Sequence, residues 1–170
     1  MHDGIVIPQA EGKTIQASGL DVTFVTAEHA RSASSFELAV RPGFDVGAHT
    51  HTRLEELFYV IEGELDLLAF EPQVRTSGNW QSWLSRRGDR VIRGGPGTLM
   101  FVPAGCPHAF SNPGLTIARV FFQAAPLGHE RNFEELGEIL ASGGTPDRAA
   151  IAELRRKYDT EQLTPLVPAH

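Results

Sequence analysis

Two segments framed by glycine and proline constrain this chain more than anything else in it. In residues 43–63, Gly43 is followed after five residues by His49-Thr50-His51, after four more by Glu56, and after a further six by Gly63. In residues 97–112, Gly97 leads after five residues to Pro103-Ala104-Gly105, then after two to His108 and after three more to Asn112. Side chains two apart on a strand share a face, so His49 and His51 can reach one ion as a pincer. Glu56 opens the alternating run 56–61, Glu62-Gly63 supplies a turn, and residues 64–70 read as the returning strand. Pro103, Gly105 and Pro107 make a stiff turn that delivers His108 to a fixed place.

Three imidazoles and a carboxylate suit zinc, iron, manganese, nickel or copper rather than an all-oxygen calcium cage. On an octahedral ion they leave positions for substrate, water or dioxygen. Glu55 sits beside Glu56, and a one-residue slip of the strand would exchange their faces. If Glu56 faces inward, the period of two turns Phe58 and Val60 inward as well, with Leu57, Tyr59 and Ile61 packing on the other face. Parity adds Met100, Val102 and Phe110 to the same apolar wall. His2, His29, His129 and His170 lack such frames and are read as surface or core residues.

With those positions in hand, the chain resembles the cupins. The motifs G-x5-H-x-H-x4-E-x6-G and G-x5-P-x-G-x2-H-x3-N are matched at every position by residues 43–63 and 97–112. The resemblance implies an all-β fold, a double-sheet jelly-roll barrel. It implies one divalent transition metal (Fe, Mn, Ni, Zn or Cu) held by His49, His51, Glu56 and His108. It also implies a homodimer, through an N-terminal arm that joins the partner's sheet. Single-barrel cupins similar to quercetin 2,3-dioxygenase come nearest in ligand set. In that group the carboxylate ligand can loosen and serve as general base, so Glu56 takes the catalytic role, with a pKa expected to rise once it is off the metal and in an apolar pocket.

Other strands are read at 20–26, 35–41 and 116–123 from apolar alternation. Residues 71–95 form an insertion carrying Trp80 and Trp83, either a flap whose indoles wall the substrate pocket or a loop anchored on the barrel by them. Arg86, Arg87, Arg90 and Arg93 are assigned to a solvated loop there. Beyond residue 128 the period lengthens. Phe133, Leu136, Ile139 and Leu140 mark a helix stopped by Gly143-Gly144, and Thr145-Pro146 start a second one with Ile151, Leu154 and Tyr158 as its stripe. The expected organisation is a barrel with N-terminal arm over residues 1–128 and a helical extension over 129–170, packed on the barrel's outside.

A length of 170 residues suits one domain. The net charge of -6 excludes the basic footprint of nucleic-acid binding. No long apolar run marks a membrane span, and the single cysteine, Cys106, fits a reducing, cytoplasmic compartment. The partner expected is a small molecule. The leading expectation is dioxygenation of a phenolic or enolic compound. A redox-neutral isomerase, cyclase or lyase, and a non-catalytic binding protein, are the alternatives.

Overall fold

Alternating apolar residues build two antiparallel sheets that face one another. A computed structural model describes residues 3–8, 11–26, 29–141 and 147–169. Along the chain run β1 (Thr14–Gln16), β2 (Leu20–Phe24), β3 (Ser34–Val40), β4 (His49–His51), β5 (Glu55–Glu62), β6 (Leu65–Ala69), β7 (Ile92–Gly94), β8 (Leu99–Val102), β9 (His108–Ser111), β10 (Ala118–Ala125), α1 (His129–Ala141), α2 (Arg148–Lys157) and β11 (Thr160–Gln162). One sheet has the order β1-β2-β3-β10-β5-β8 and the other β11-β4-β9-β6-β7. This is the expected double-sheet jelly roll with two C-terminal helices.

The inner faces follow the period of two. Phe36, Leu38 and Val40 of β3, Phe58 and Val60 of β5, Met100 and Val102 of β8, and Val120 and Phe122 of β10 are all buried. Register carries these rows across the sheet: Phe122 stands opposite both Phe36 and Phe58. Their rings continue the row, with Phe58 stacked on Phe122 at 4.6 Å and Phe36 meeting Phe122 at 5.7 Å and Phe133 of α1 at 4.9 Å. The outer row of β5 and β8 does not pack as expected. Tyr59, Ile61, Leu99 and Phe101 are between 43% and 55% exposed.

Gly63 turns β5 into β6 at φ +75°, where a Cβ would stand 2.8 Å from the Ala118 Cα. A left-handed turn against a neighbouring backbone needs glycine. Residues 71–95 are less loop-like than expected. Arg93 lies on β7 rather than in a loop, and it remains solvent-exposed while its side chain pairs with Asp66 at 3.0 Å. Trp80 and Trp83 are buried, and their N–H groups donate to Asp45 (2.9 Å) and Thr76 (2.8 Å).

The C-terminal segment does more than pad the outside. α1 presses close to β1, where a Cβ on Gly137 would meet Ile15 at 2.5 Å. α2 is capped by Asp147, whose carboxylate accepts from the amides of Ala149 and Ala150 at 2.9 and 3.2 Å. The glycine stop at 143–144 and the Thr145-Pro146 start lie outside the described residues. After α2 the chain returns as β11, a strand not foreseen from sequence, and pairs Thr160 with His51 and Gln162 with His49. Residues 3–8 form no strand. No helix among the described residues is long and apolar enough to cross a membrane, which is silent on strand-built barrels.

Candidate metal centre

The two histidine segments meet because β4 and β9 are neighbours in one sheet, with His49 directly opposite His108. β5, in the facing sheet, turns Glu56 inward, while Glu55 is exposed. The slip that would have exchanged them is prevented by pairing of Glu56 with Val102 on one side and Ala124 on the other. The turn before His108 is pinned to β4 by the Gly105 amide, which donates to the His51 carbonyl at 2.6 Å. Ligand atoms of His49, His51, Glu56 and His108 all lie within 4.8 Å of one another, and all four residues are buried.

Each imidazole is oriented by a carbonyl that can only accept. Nδ1–H of His49 donates to Gly47 O at 2.8 Å, that of His51 to Asp159 O at 3.0 Å, and that of His108 to Cys106 O at 3.0 Å. These bonds leave Nε2 as the lone-pair nitrogen on every ring. His51 Nε2 then stands 3.0 Å from one Glu56 oxygen and His108 Nε2 stands 2.8 Å from the other. With both rings neutral, lone pair faces lone pair, so a positive centre, a proton or a metal ion, is required between them. Among the described residues His51 Nε2, His108 Nε2 and Glu56 Oε2 find no hydrogen-bond partner although all are buried. Buried polar atoms left this way are costly unless something fills the gap.

The donor set supplies what fits. Nitrogen and oxygen ligands about 2.1 Å from one ion stand at most about 4.2 Å apart, so the observed cluster closes on an ion with shifts of a few tenths of an ångström. The buried His3Glu group suits a divalent metal ion.

The electrostatics correct one expectation. Burial alone pushes the Glu56 carboxyl up, but in the metal-free protein a proton lying between it and the facing His108 and His51 rings outweighs burial and holds the group well below the usual carboxylate range. The expected rise supposed apolar neighbours, whereas two imidazoles flank the carboxylate. His49 is driven well down by burial, with repulsion from His108, Arg155 and His51 added.

The cluster opens on a cavity of about 30 Å³, walled by Phe58, Phe110, Phe122, Phe133 and Leu136 among others. Of the residues read from sequence as substrate contacts, Phe58 and Phe110 line it. Val60 and Val102 are buried in the core without lining it. Met100 borders a separate outer pocket with Phe70 and Ile92, and Trp80 and Trp83 stand in the anchored 71–95 segment away from it. Three polar residues reach the cavity that sequence reasoning passed over: His129 and Asn132 of α1 and Arg155 of α2. Thr160 joins them, its hydroxyl 3.1 Å from His51 Nδ1. The His129 ring is 6.2 Å from that of His51, and burial brings its pKa down to about 4, against the pull of Glu56. Cys106 serves through its carbonyl, and burial, followed by Glu71, pushes its thiol up. Asn112 braces the turn after β9, donating to Val40 O and Thr116 O at 2.8 Å.

The Cupin family profile matches residues 8–132. No curated protein sequence matches the chain. Among solved structures it is similar to an RmlC-like cupin from Shewanella frigidimarina (15% identity, TM-score 0.56, 76% of this chain and 96% of that one). It is similar to KdgF from Halomonas sp. at 15% identity and TM-score 0.56, over 76% of this chain and 99% of that one. A sugar phosphate isomerase of the cupin superfamily from Silicibacter pomeroyi is 19% identical with TM-score 0.50, over 65% of this chain. The match spans 62% of that isomerase.

Two outcomes are expected. His49→Ala or His108→Ala should abolish stoichiometric binding of zinc or cobalt, measured by elemental analysis after dialysis, while His129→Ala keeps one equivalent. The second concerns acid. Unfolded His129 takes its proton near pH 6.5 and the folded protein only near 4, so its contribution is complete above 6.5 and lost as the pH falls from 6.5 to 4. The span corresponds to about 3 kcal/mol. In metal-stripped protein, urea midpoints of His129→Leu should fall less across that window than those of the unmutated chain, and equal slopes would refute the assignment.

Proposed function

The chain belongs to the cupin family, and from that premise we propose a metal-dependent enzyme that acts on a small enolic or phenolic molecule, with dioxygenation as the leading reaction. The observation that carries this reading is the trio of imidazole lone pairs converging on Glu56 at the wall of a mostly apolar cavity. When bound by His49, His51, Glu56 and His108, iron, manganese, nickel or copper would supply Lewis acidity and one-electron chemistry with dioxygen, and zinc the former alone.

The chain's own residues supply the rest. Glu56 is ionised at neutral pH, and its carboxylate oxygens can take the proton of an enol or phenol hydroxyl whose acidity a bound ion would raise. Phe58, Phe110 and Phe122 exclude water around the reacting atoms. A cavity of about 30 Å³ favours a compact enol. One water needs roughly 10–15 Å³ on this measure, and a three-ring flavonol would enter only if α1 and α2 parted from the barrel. The proposal includes the division into a barrel over 1–128 and an extension over 129–170, a homodimer, and a cytoplasmic place of action.

One observation favours the redox-neutral alternative of an isomerase, cyclase or lyase. A cavity this small accommodates a single reactant more readily than a substrate and dioxygen together. Oxygen uptake separates the readings. Protein loaded anaerobically with iron, manganese or nickel, then given small enols and a flavonol panel, should consume oxygen with an enol and show none with zinc. Turnover under argon with zinc would favour the redox-neutral reading instead, and tight binding without turnover a binding protein.

A further inference from the structure

The cavity's second cation asks for an explanation that the four ligands do not supply. Arg155, in the last turn of α2, is 5% exposed and lines the same cavity as the His3Glu cluster. Both of its hydrogen bonds leave from Nη1, one to Val46 O at 3.2 Å and one to the Gln162 side-chain oxygen. Its Nε is buried and has no partner. The Nε–Nη2 edge of the planar fork, the edge that meets a carboxylate with two parallel bonds, is therefore uncommitted. Asn132, 3% exposed and lining the same cavity, has an unpartnered side-chain oxygen, an acceptor waiting for a hydroxyl.

Charge points the same way. Arg155 keeps its proton at neutral pH, since burial lowers its pKa only to about 10 and Glu56 opposes the fall. Without an ion, Arg155 balances Glu56. With a divalent ion in place, the cavity holds Arg155 and the ion against one carboxylate. Positive charge then exceeds negative in a mostly apolar space, a costly state that an anion relieves. A guanidinium present only to neutralise Glu56 would be surplus in the loaded protein.

We infer that Arg155 and Asn132 form a subsite for a small hydroxy- or enol-carboxylate, with Arg155 holding the carboxylate and the Asn132 oxygen accepting from the hydroxyl. The inference rests on the metal-centre reading above and narrows its substrate class to compact anions. Both residues belong to the C-terminal helices, and Arg155 lies beyond residue 132, where the family match ends.

Glycolate and its neutral isostere glycolamide are the probes, titrated by calorimetry into zinc-loaded protein. Glycolate should bind at least tenfold more tightly than glycolamide. Arg155→Met that still carries one zinc should lose at least tenfold in glycolate affinity, with Arg155→Lys recovering part of it. Arg155→Met that keeps its zinc and binds glycolate as well as the unmutated protein overturns the subsite. Absence of zinc from the unmutated protein is failure of the metal-centre reading instead. Should Arg155→Met not fold, the Arg155 Nε–H resonance of the unmutated protein decides, with and without zinc. It should move downfield with glycolate and not with glycolamide, and a resonance indifferent to glycolate overturns the proposal.

Discussion

Three hydrogen bonds from imidazole Nδ1–H to backbone carbonyls organise this molecule's chemistry. Gly47, Asp159 and Cys106 provide the acceptors, and each lies in a different connecting segment. Because a carbonyl accepts and never donates, every ring is committed to one tautomer, and the remaining lone pairs converge on Glu56. The barrel's role is to hold these three segments in register. Pairing of His49 with His108 across β4 and β9 and the bond from Gly105 N to His51 O do this in one sheet, while β5 delivers the carboxylate from the other.

The C-terminal segment belongs to the same construction. β11 lies along β4 and places Asp159 O and the Thr160 hydroxyl against His51. Gly47, at φ +73°, lets that segment approach so closely that a Cβ there would stand 2.4 Å from Thr164 O. α1 and α2 then reach the cavity with Phe133, Leu136, Asn132 and Arg155, setting its small volume and its polar character. Residues beyond the family match thus help orient His51, one of the four candidate metal ligands, and shape the cavity beside it.

Much of this was legible in the residues themselves. Spacing brought His49, His51, Glu56 and His108 together, since each frame fixes which side chains share a face and where a turn must fall. Strand parity placed Phe58, Met100 and Val102 on buried faces. Parity says nothing of depth, however, so Val60 and Val102 were assigned to a cavity that they do not line, and Met100 borders another pocket. β11 escaped notice because Thr-Glu-Gln is short and polar, and only pairing with β4 makes it a strand. Arg155 stands beside Arg156 and Lys157 in a basic helix end, and nothing local distinguishes the buried one. The direction of the Glu56 shift depended on neighbours from two other strands, β4 and β9, which a pattern of alternation does not describe.

The most direct measurement is a crystal structure of the protein grown with zinc or cobalt, with anomalous diffraction to locate the ion. One peak should lie about 2.0–2.2 Å from Nε2 of His49, His51 and His108 and from a Glu56 oxygen. A structure that holds no ion there under metal excess, or that turns any of the three rings so that Nε2 faces away, would contradict the account.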